Sequence, residues 1–414
     1  MKILNKKSIV ITISLSLILV IAIFAVNSKA AYVSNSLTSR YVYDLDQEDT
    51  FKAPLIYDVG YEKKINYEDI FGKFYINPEF NYDLDSKKES MEIKEGYLEL
   101  YFSEFDLRLG KQKLTWGKSD GLIVTNIVNP RDYTVHPVVE FSDQMQSINS
   151  IKTNFYPQND NLEIIFVPEF KSAKMDPKLL ADNLPDGFTK NNSNKDIESN
   201  FENSELFMRY SSLGQNIDYE IMAAYHWNDI PTLHKDFQNK EIKPEHHRLT
   251  SIGGSLSTMQ GPFVFRGEGI YNSGKYFNVK IDQSEMMNYP NIEYPEGVVE
   301  KDEFKWMVGV DYNYEGYLFS SQFMQEVILD YNEKIKKDEF SNQMTFLIQK
   351  DFLRTKLNTE INFHYNLSDE VLMAKPVLSY DYSDVINLKG GANLNLDGES
   401  PKSDVIYFQT EYLF

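Results

Sequence analysis

Two histidines stand side by side at His246 and His247, with His226 and His234 upstream. Paired imidazoles bind metal only where both rings reach one ion. Adjacent strand residues point to opposite faces, so these two can share an ion only from a loop at a strand's start. The chain has no Gly-x-Ser-x-Gly elbow and no Gly-rich phosphate loop. Zero cysteine removes disulfides, thiolate metal sites and thiol nucleophiles together. Neither catalysis nor a cofactor is expected.

The remaining chemistry is charge set at a period of two. Arg108, Arg209, Arg266 and Arg354 fall on the polar parity of alternating segments, as do Glu268 and Glu360; Arg248 lies where the faces do not sort. An arginine column facing acidic loops would set a transverse field across a water-filled space. The alternative is that each arginine pairs with a neighbouring carboxylate such as Glu268 or Glu360.

Residues 106–144 carry the densest pattern, with Trp116, Asp120 and the Asn129-Pro130-Arg131-Asp132 turn. From 116 to 144 the segment holds Leu122, Ile123, Val124, Ile127, Val128, Val135, Val138, Val139 and Phe141, too much apolar surface for a solvated loop. It is expected to fold inward against a wall as a constriction, with Arg131 and Asp132 at the turn; the other arrangement is a hairpin raised above the membrane. Lys111 and Lys113 share parity with Leu107 and Leu109. Either a bulge reverses the face there or the strand is not lipid-facing.

The elements that must position these residues are strands. In Leu353–Tyr365, Leu353, Thr355, Leu357, Thr359, Ile361, Phe363 and Tyr365 share one parity and Arg354, Lys356, Asn358, Glu360, Asn362 and His364 the other. The split recurs at 70–82, 216–228, 302–314 and 385–397. About sixteen strands of about ten to fourteen residues result, long enough to cross a bilayer when tilted. Short spacers alternate with long ones, the pattern of a transmembrane up-and-down antiparallel β-barrel with short periplasmic turns and long extracellular loops. A soluble sandwich has no reason to sort its loops this way. Polar-face charges then meet a wet lumen, and the 28 Tyr and 27 Phe supply interfacial girdles.

Residues 1–30 read as a signal peptide: a lysine head, an apolar run from Ile9 to Val26, and Ser28-Lys29-Ala30 before the cut. An uncleaved anchor is the alternative. Removing its four lysines takes the formal charge from −20 to −24. That acidity argues against nucleic acid. Residues 31–69 form either a periplasmic lead or an extra hairpin that would make eighteen strands; 70–414 are the barrel.

The last strand sets Ile406, Phe408, Thr410, Tyr412 and Phe414 on one face. It resembles the recognition strand of outer-membrane barrels, with Phe408, Tyr412 and Phe414 as the assembly signal. The resemblance implies insertion by the barrel assembly machinery. Gly110-Lys111-Gln112, Trp116-Gly117 and Asn129-Pro130-Arg131-Asp132 resemble an uncharacterised family of bacterial outer-membrane porin-like proteins, as does the stretch from Arg266-Gly267-Glu268 through Val308-Gly309-Val310-Asp311. The location implied is the outer membrane of a diderm bacterium, in contact with its lipid. The expected function is passive diffusion of small hydrophilic solutes, with a weak cation preference from an acidic mouth. A non-conducting structural or adhesive barrel, or a specific transporter of a polymer or hydrophobic molecule, is the alternative. Monomer and homotrimer both stay open.

Overall fold

The computed structural model describes residues 31–46, 49–67, 70–119, 121–134, 141–175, 188–190, 197–281, 293–397 and 404–414. Residues 1–30, expected from the sequence to be a signal peptide, and Asp120, Val135, Val138 and Val139 lie outside the described residues.

The chain forms a closed antiparallel barrel of eighteen strands. These are β1 Ala31–Asp44, β2 Pro54–Tyr67, β3 Ile70–Asp83, β4 Glu89–Tyr101, β5 Phe105–Gln112 and β6 Ile148–Phe155. Then come β7 Asn161–Val167, β8 Glu205–Leu213, β9 Ile217–Trp227, β10 Arg248–Gln260, β11 Phe263–Asn278 and β12 Val298–Tyr314. The set ends with β13 Tyr317–Ile328, β14 Phe340–Phe352, β15 Leu357–Asn366, β16 Val371–Ser383, β17 Ile386–Asp397 and β18 Val405–Leu413. Each strand pairs with its neighbours in sequence, and β1 pairs with β18 from Ser36↔Leu413 to Asp44↔Val405.

Eighteen replaces the sixteen of the sequence reading because residues 31–67 form two wall strands. Register with β18 puts Leu37, Ser39, Tyr41 and Tyr43 of β1 opposite Tyr412, Thr410, Phe408 and Ile406. The outward face of β1 is thus diluted by Ser39 and Asn35, which blunts the alternation that marks the other strands.

Outward parities are apolar and exposed, as at Ile221, Tyr225, Ile252, Leu256 and Val308. That is the surface lipid requires. Connections at one rim are tight, as at Glu315-Gly316 between β12 and β13, and those at the other rim include the long segments 113–147, 168–204, 228–247 and 279–297. The N-terminal end of β1 and the C-terminal end of β18 lie at the short-turn rim. At the long-loop rim a hairpin of Thr232–Asp236 and Glu241–Glu245 adds a short parallel pairing to Thr189–Lys190.

One strand boundary differs from the pattern. Leu353, Arg354 and Thr355 have φ of 52°, 58° and 68°, so they make the turn between β14 and β15. Arg354 is therefore an exposed turn residue and not a lumen-facing strand residue.

Candidate functional site

The segment between β5 and β6 turns into the barrel and packs on its inner wall. Leu114, Trp116 and Val128 bury against Ile165 and Val167 of β7, Phe207 of β8 and Met222 and Ala224 of β9. Leu122 and Val124 bury against Ile270 of β11, Met307 of β12 and Met324 of β13. Those wall residues occupy lumen-facing positions among charged neighbours, and the apolar loop covers them in place of water.

The conspicuous motif residues hold this loop. Trp116 is 2% exposed. Its Nε1 donates to Glu163 at 2.7 Å, and its ring meets Phe207 edge-on at 6.0 Å. Asn129 clamps the loop's base: its Oδ1 accepts from the Leu114 amide at 2.7 Å while its Nδ2 donates to the Gln146 carbonyl at 2.7 Å. Gln112, fully buried, donates to the Ser150 carbonyl and hydroxyl on β6.

Glu268 on β11 anchors the loop's far side. Its carboxylate accepts from the amides of Lys118, Ser119 (2.6 Å) and Thr125 (3.2 Å) and from the Thr125 hydroxyl (2.7 Å). Gly117 makes that turn possible. Its φ is +89°, and a Cβ there would lie 2.6 Å from Thr125 Oγ1 and 3.0 Å from both Glu268 oxygens. Arg266, two residues along β11, donates to the Lys118 carbonyl at 2.7 Å and pairs with Asp311 at 2.5 Å.

Two more of the strand arginines are also paired. Arg108 meets Glu99 at 2.7 Å and lies over the Tyr97 ring at 4.4 Å. Arg209 reaches Glu163 at 3.1 Å and Glu220 at 3.6 Å, and Lys118 adds to Glu220 at 3.4 Å. The partners differ from those the sequence suggested, since Glu268 is taken by the loop. Glu360 lies on the lumen parity of β15, away from this network. Arg248 sits opposite Trp227 with its guanidinium over Tyr225 and Trp227 at 4.7 and 4.2 Å.

Arg131 and Asp132 do not act as a pair. Arg131 donates to Gln144 Oε1 at 2.5 Å and lies over Tyr133, where burial lowers its pKa. Asp132 pairs with Lys174 at 2.9 Å; burial raises its carboxyl, but hydrogen bonds from Thr134 and Lys174 outweigh that and hold it below the usual carboxylate range. The bridge Arg131↔Met145 closes the inward loop on itself, and Asp132↔Lys174 ties it to the next long segment.

β5 keeps its register through Lys111, which stays on the parity of Leu107 and Leu109, and the strand ends before Lys113. Gly110 has φ +132°, and the bulge lies in the neighbouring β4, where Lys94 is an extra residue opposite the Asn77/Pro78 step of β3. Lys111 pairs with Glu92 at 3.3 Å, and Lys113 borders the internal cavity.

That cavity, of about 1090 Å³, lies between the loop and the wall formed by β1–β4, β17 and β18. It reaches from Val42 and Asp83 near the long-loop rim to Ser36 and Glu411 toward the short-turn rim. Its lining carries nine carboxylates, among them Asp58, Glu79 and Asp143, against six cations, among them Arg40, Lys94 and Lys389. Lys94 pairs with Glu79 at 3.2 Å, and Arg40 Nε donates to Gln409 at 2.8 Å. Sequence reasoning missed the β1 and β2 part of this lining because it left open whether residues 31–69 join the barrel. The parity of Ser36, Thr38 and Arg40 was the available signal.

Among the described residues no group of three or more His, Asp and Glu is arranged to hold a metal ion. His246 turns to the Asn228 carbonyl at 2.7 Å while His247 meets His234 at 2.8 Å, so the adjacent rings diverge. At the seam, the Phe414 amide donates to the Asn35 carbonyl at 3.1 Å, and its ring stacks on Tyr57 and Tyr412 at 6.0 and 5.2 Å. Phe408 and Tyr412 face outward, 54% and 43% exposed.

No curated protein matches the chain. Among solved structures, Acinetobacter baumannii OccAB2 superposes with a TM-score of 0.56 at 9% identity, covering 93% of this chain and 98% of that one. A. baumannii OccAB4 gives 0.56 at 10% identity over 94% and 99%. The outer membrane protein OpdK of Pseudomonas aeruginosa gives 0.54 at 8% over 93% and 98%. At such identities the likeness concerns the fold, that of an outer-membrane porin-type barrel. The family model described as "Protein of unknown function (DUF1302)" matches residues 26–375, and the chain therefore belongs to that family.

Proposed function

We propose that the protein is a passive channel for small hydrophilic solutes with a weak preference for cations. The observation that carries this reading is the polar-lined space of about 1090 Å³ beside the inward loop. The loop fills the side of the lumen along β7–β13, and the cavity against β1–β4, β17 and β18 remains. The pairing of Arg108, Arg209 and Arg266 with carboxylates cancels the arginine column locally. The excess of carboxylates along the passage then sets the sign of the field, adding to the acidic residues Glu293, Glu296 and Glu300 of a long loop.

In this reading the long loops face the exterior and the short turns the periplasm. Residues 1–30 direct secretion, and the barrel assembly machinery reads the strand ending in Phe414. No catalytic role is proposed. Reconstitution into planar bilayers tests conduction: the expected result is stepwise conductance, and correctly folded protein without steps overturns it in favour of a structural role. Reversal potentials across a salt gradient test selectivity. Cation preference should show at low ionic strength and fade near 1 M, where the screening length is about 3 Å.

A further inference from the structure

The barrel wall is uneven in height. β5, β6 and β7 have 8, 8 and 7 residues, whereas β11 and β12 have 16 and 17. At about 3.3 Å per residue and about 40° of tilt, seven residues stand only about 18 Å tall, less than the apolar band of about 25 Å that a membrane barrel presents. The side chains agree. On the outward parity of β5–β7 the apolar rungs are Phe105/Phe155/Leu162, Leu107/Thr153/Ile164 and Leu109/Ile151/Phe166. The next rung of β5–β6 is already Lys111/Asn149, about 15 Å from the first by the same geometry. On β11–β12 five rungs run from Phe263/Tyr312 to Tyr271/Phe304 without a charge.

Lipid cannot cover this low sector well. The bilayer would have to thin, or the polar rim around Lys111 would meet acyl chains. A different, full-height barrel docked here would leave part of its own apolar band unmatched. A second copy of this chain presents the same reduced height, so its low sector matches this one. The sector is also braced from inside, because Leu114, Trp116 and Val128 pack behind Ile165 and Val167.

We infer that the outward face of β5–β7 is the contact surface between copies of this chain in the membrane. This inference stands on wall height and is independent of conduction. The chain lacks cysteine, so single-cysteine variants report cleanly. Ile151→Cys probes the low sector and Val308→Cys the tall one; the side chains are 41% and 52% exposed in the single chain. Each variant is labelled in membranes with a lipid-soluble maleimide, and its mass is measured in mild detergent by light scattering. A heat-dependent gel shift on the same samples certifies folding. The expected result is a multiple of the single-chain mass, with Ile151→Cys labelled at least about tenfold more slowly than Val308→Cys. A single-chain mass overturns the inference, even with Ile151→Cys protected in the membrane, because the cover would then be another molecule. Equal labelling, or protection of Val308→Cys instead, overturns it as well.

Discussion

Replacing Glu268 by glutamine should loosen the inward loop without touching the barrel. The carboxylate accepts four hydrogen bonds, from the amides of Lys118, Ser119 and Thr125 and from the Thr125 hydroxyl. Hydrogen bonds to a charged acceptor are worth about 1.5–3 kcal/mol each. Glutamine keeps one oxygen and sets an NH2 against donors on the other side, so about two of the four are lost. The expected loss is about 3–6 kcal/mol of local anchoring, or a rise of roughly two to four orders of magnitude in the fraction of time the loop is released. The apolar contacts of Leu122 and Val124 with Ile270, Met307 and Met324 remain, so the loop re-seats. Single-channel recording should show brief excursions to a larger conductance that the unaltered protein lacks, and trypsin should cut at Lys118 more readily. The cut must appear in folded, heat-modifiable protein, since denatured chain is cleaved everywhere. Unchanged conductance together with unchanged resistance at Lys118 would show that the Glu268 cradle does not hold the loop.

Other perturbations bear on separate parts of the molecule. Gly117→Ala forces a Cβ into Thr125 and Glu268 at a left-handed backbone position and should cost about 1–3 kcal/mol of the same anchoring, read by the same trypsin assay. Asp143→Asn together with Glu79→Gln removes two carboxylates from the passage and should reduce the reversal potential at low salt while leaving its sign at high salt unmoved. Burial, then the neighbouring His234 and His246, push His247 down to about 4, against the opposing pull of Glu296. A histidine with a lowered pKa stays neutral in the fold, so the contact with His234 is complete above about pH 6.5 and weakens as pH falls toward 4. At its half-buried position the effect is on the order of 1 kcal/mol after screening, and amide exchange in Thr232–Asp236 should quicken over that window. Deleting Phe414 removes its ring from Tyr57 and its amide from Asn35, and membrane-inserted protein should fall several-fold in cell fractions.

Much of the barrel was legible because lipid and water impose opposite demands on alternate residues. In β15, Ile361 and Phe363 face out and Glu360 and Asn362 face in, and no other environment demands that pattern so strictly. β1 was harder to read because Asn35 and Ser39 occupy outward positions near the seam, where Asn35 is engaged by Phe414 and Tyr57. Arg354 was misplaced because period two says nothing about φ, and three successive left-handed residues there keep the alternation while reversing the chain. The loop's apolar content announced that it must pack, but not on what. Glu268 is some 150 residues from Lys118 in sequence, and a lumen carboxylate that caps amides looks the same on paper as one that meets water. The glycine after Trp116 was the visible hint, since a tight left-handed turn needs something to fill its donors.

The seam between β1 and β18 constrains how the molecule can form. Arg40 and Gln409 meet across 369 positions, and Asn35 and Phe414 across 379. No nearer strand substitutes for either edge, so an unfinished chain carries two rows of unsatisfied amides and carbonyls. In a bilayer those rows have nothing to bond, which makes a half-built wall far less tolerable than in water. The loop-closure entropy for the final pairing must be met before its hydrogen bonds repay it, which places the barrier late and the rate low. Synthesis order adds to this, because the strand that completes the circle leaves the ribosome after the seventeen it must close. The nascent wall must therefore be kept unpaired until β18 exists, and truncation anywhere before that strand should yield material destined for proteolysis and not a smaller pore.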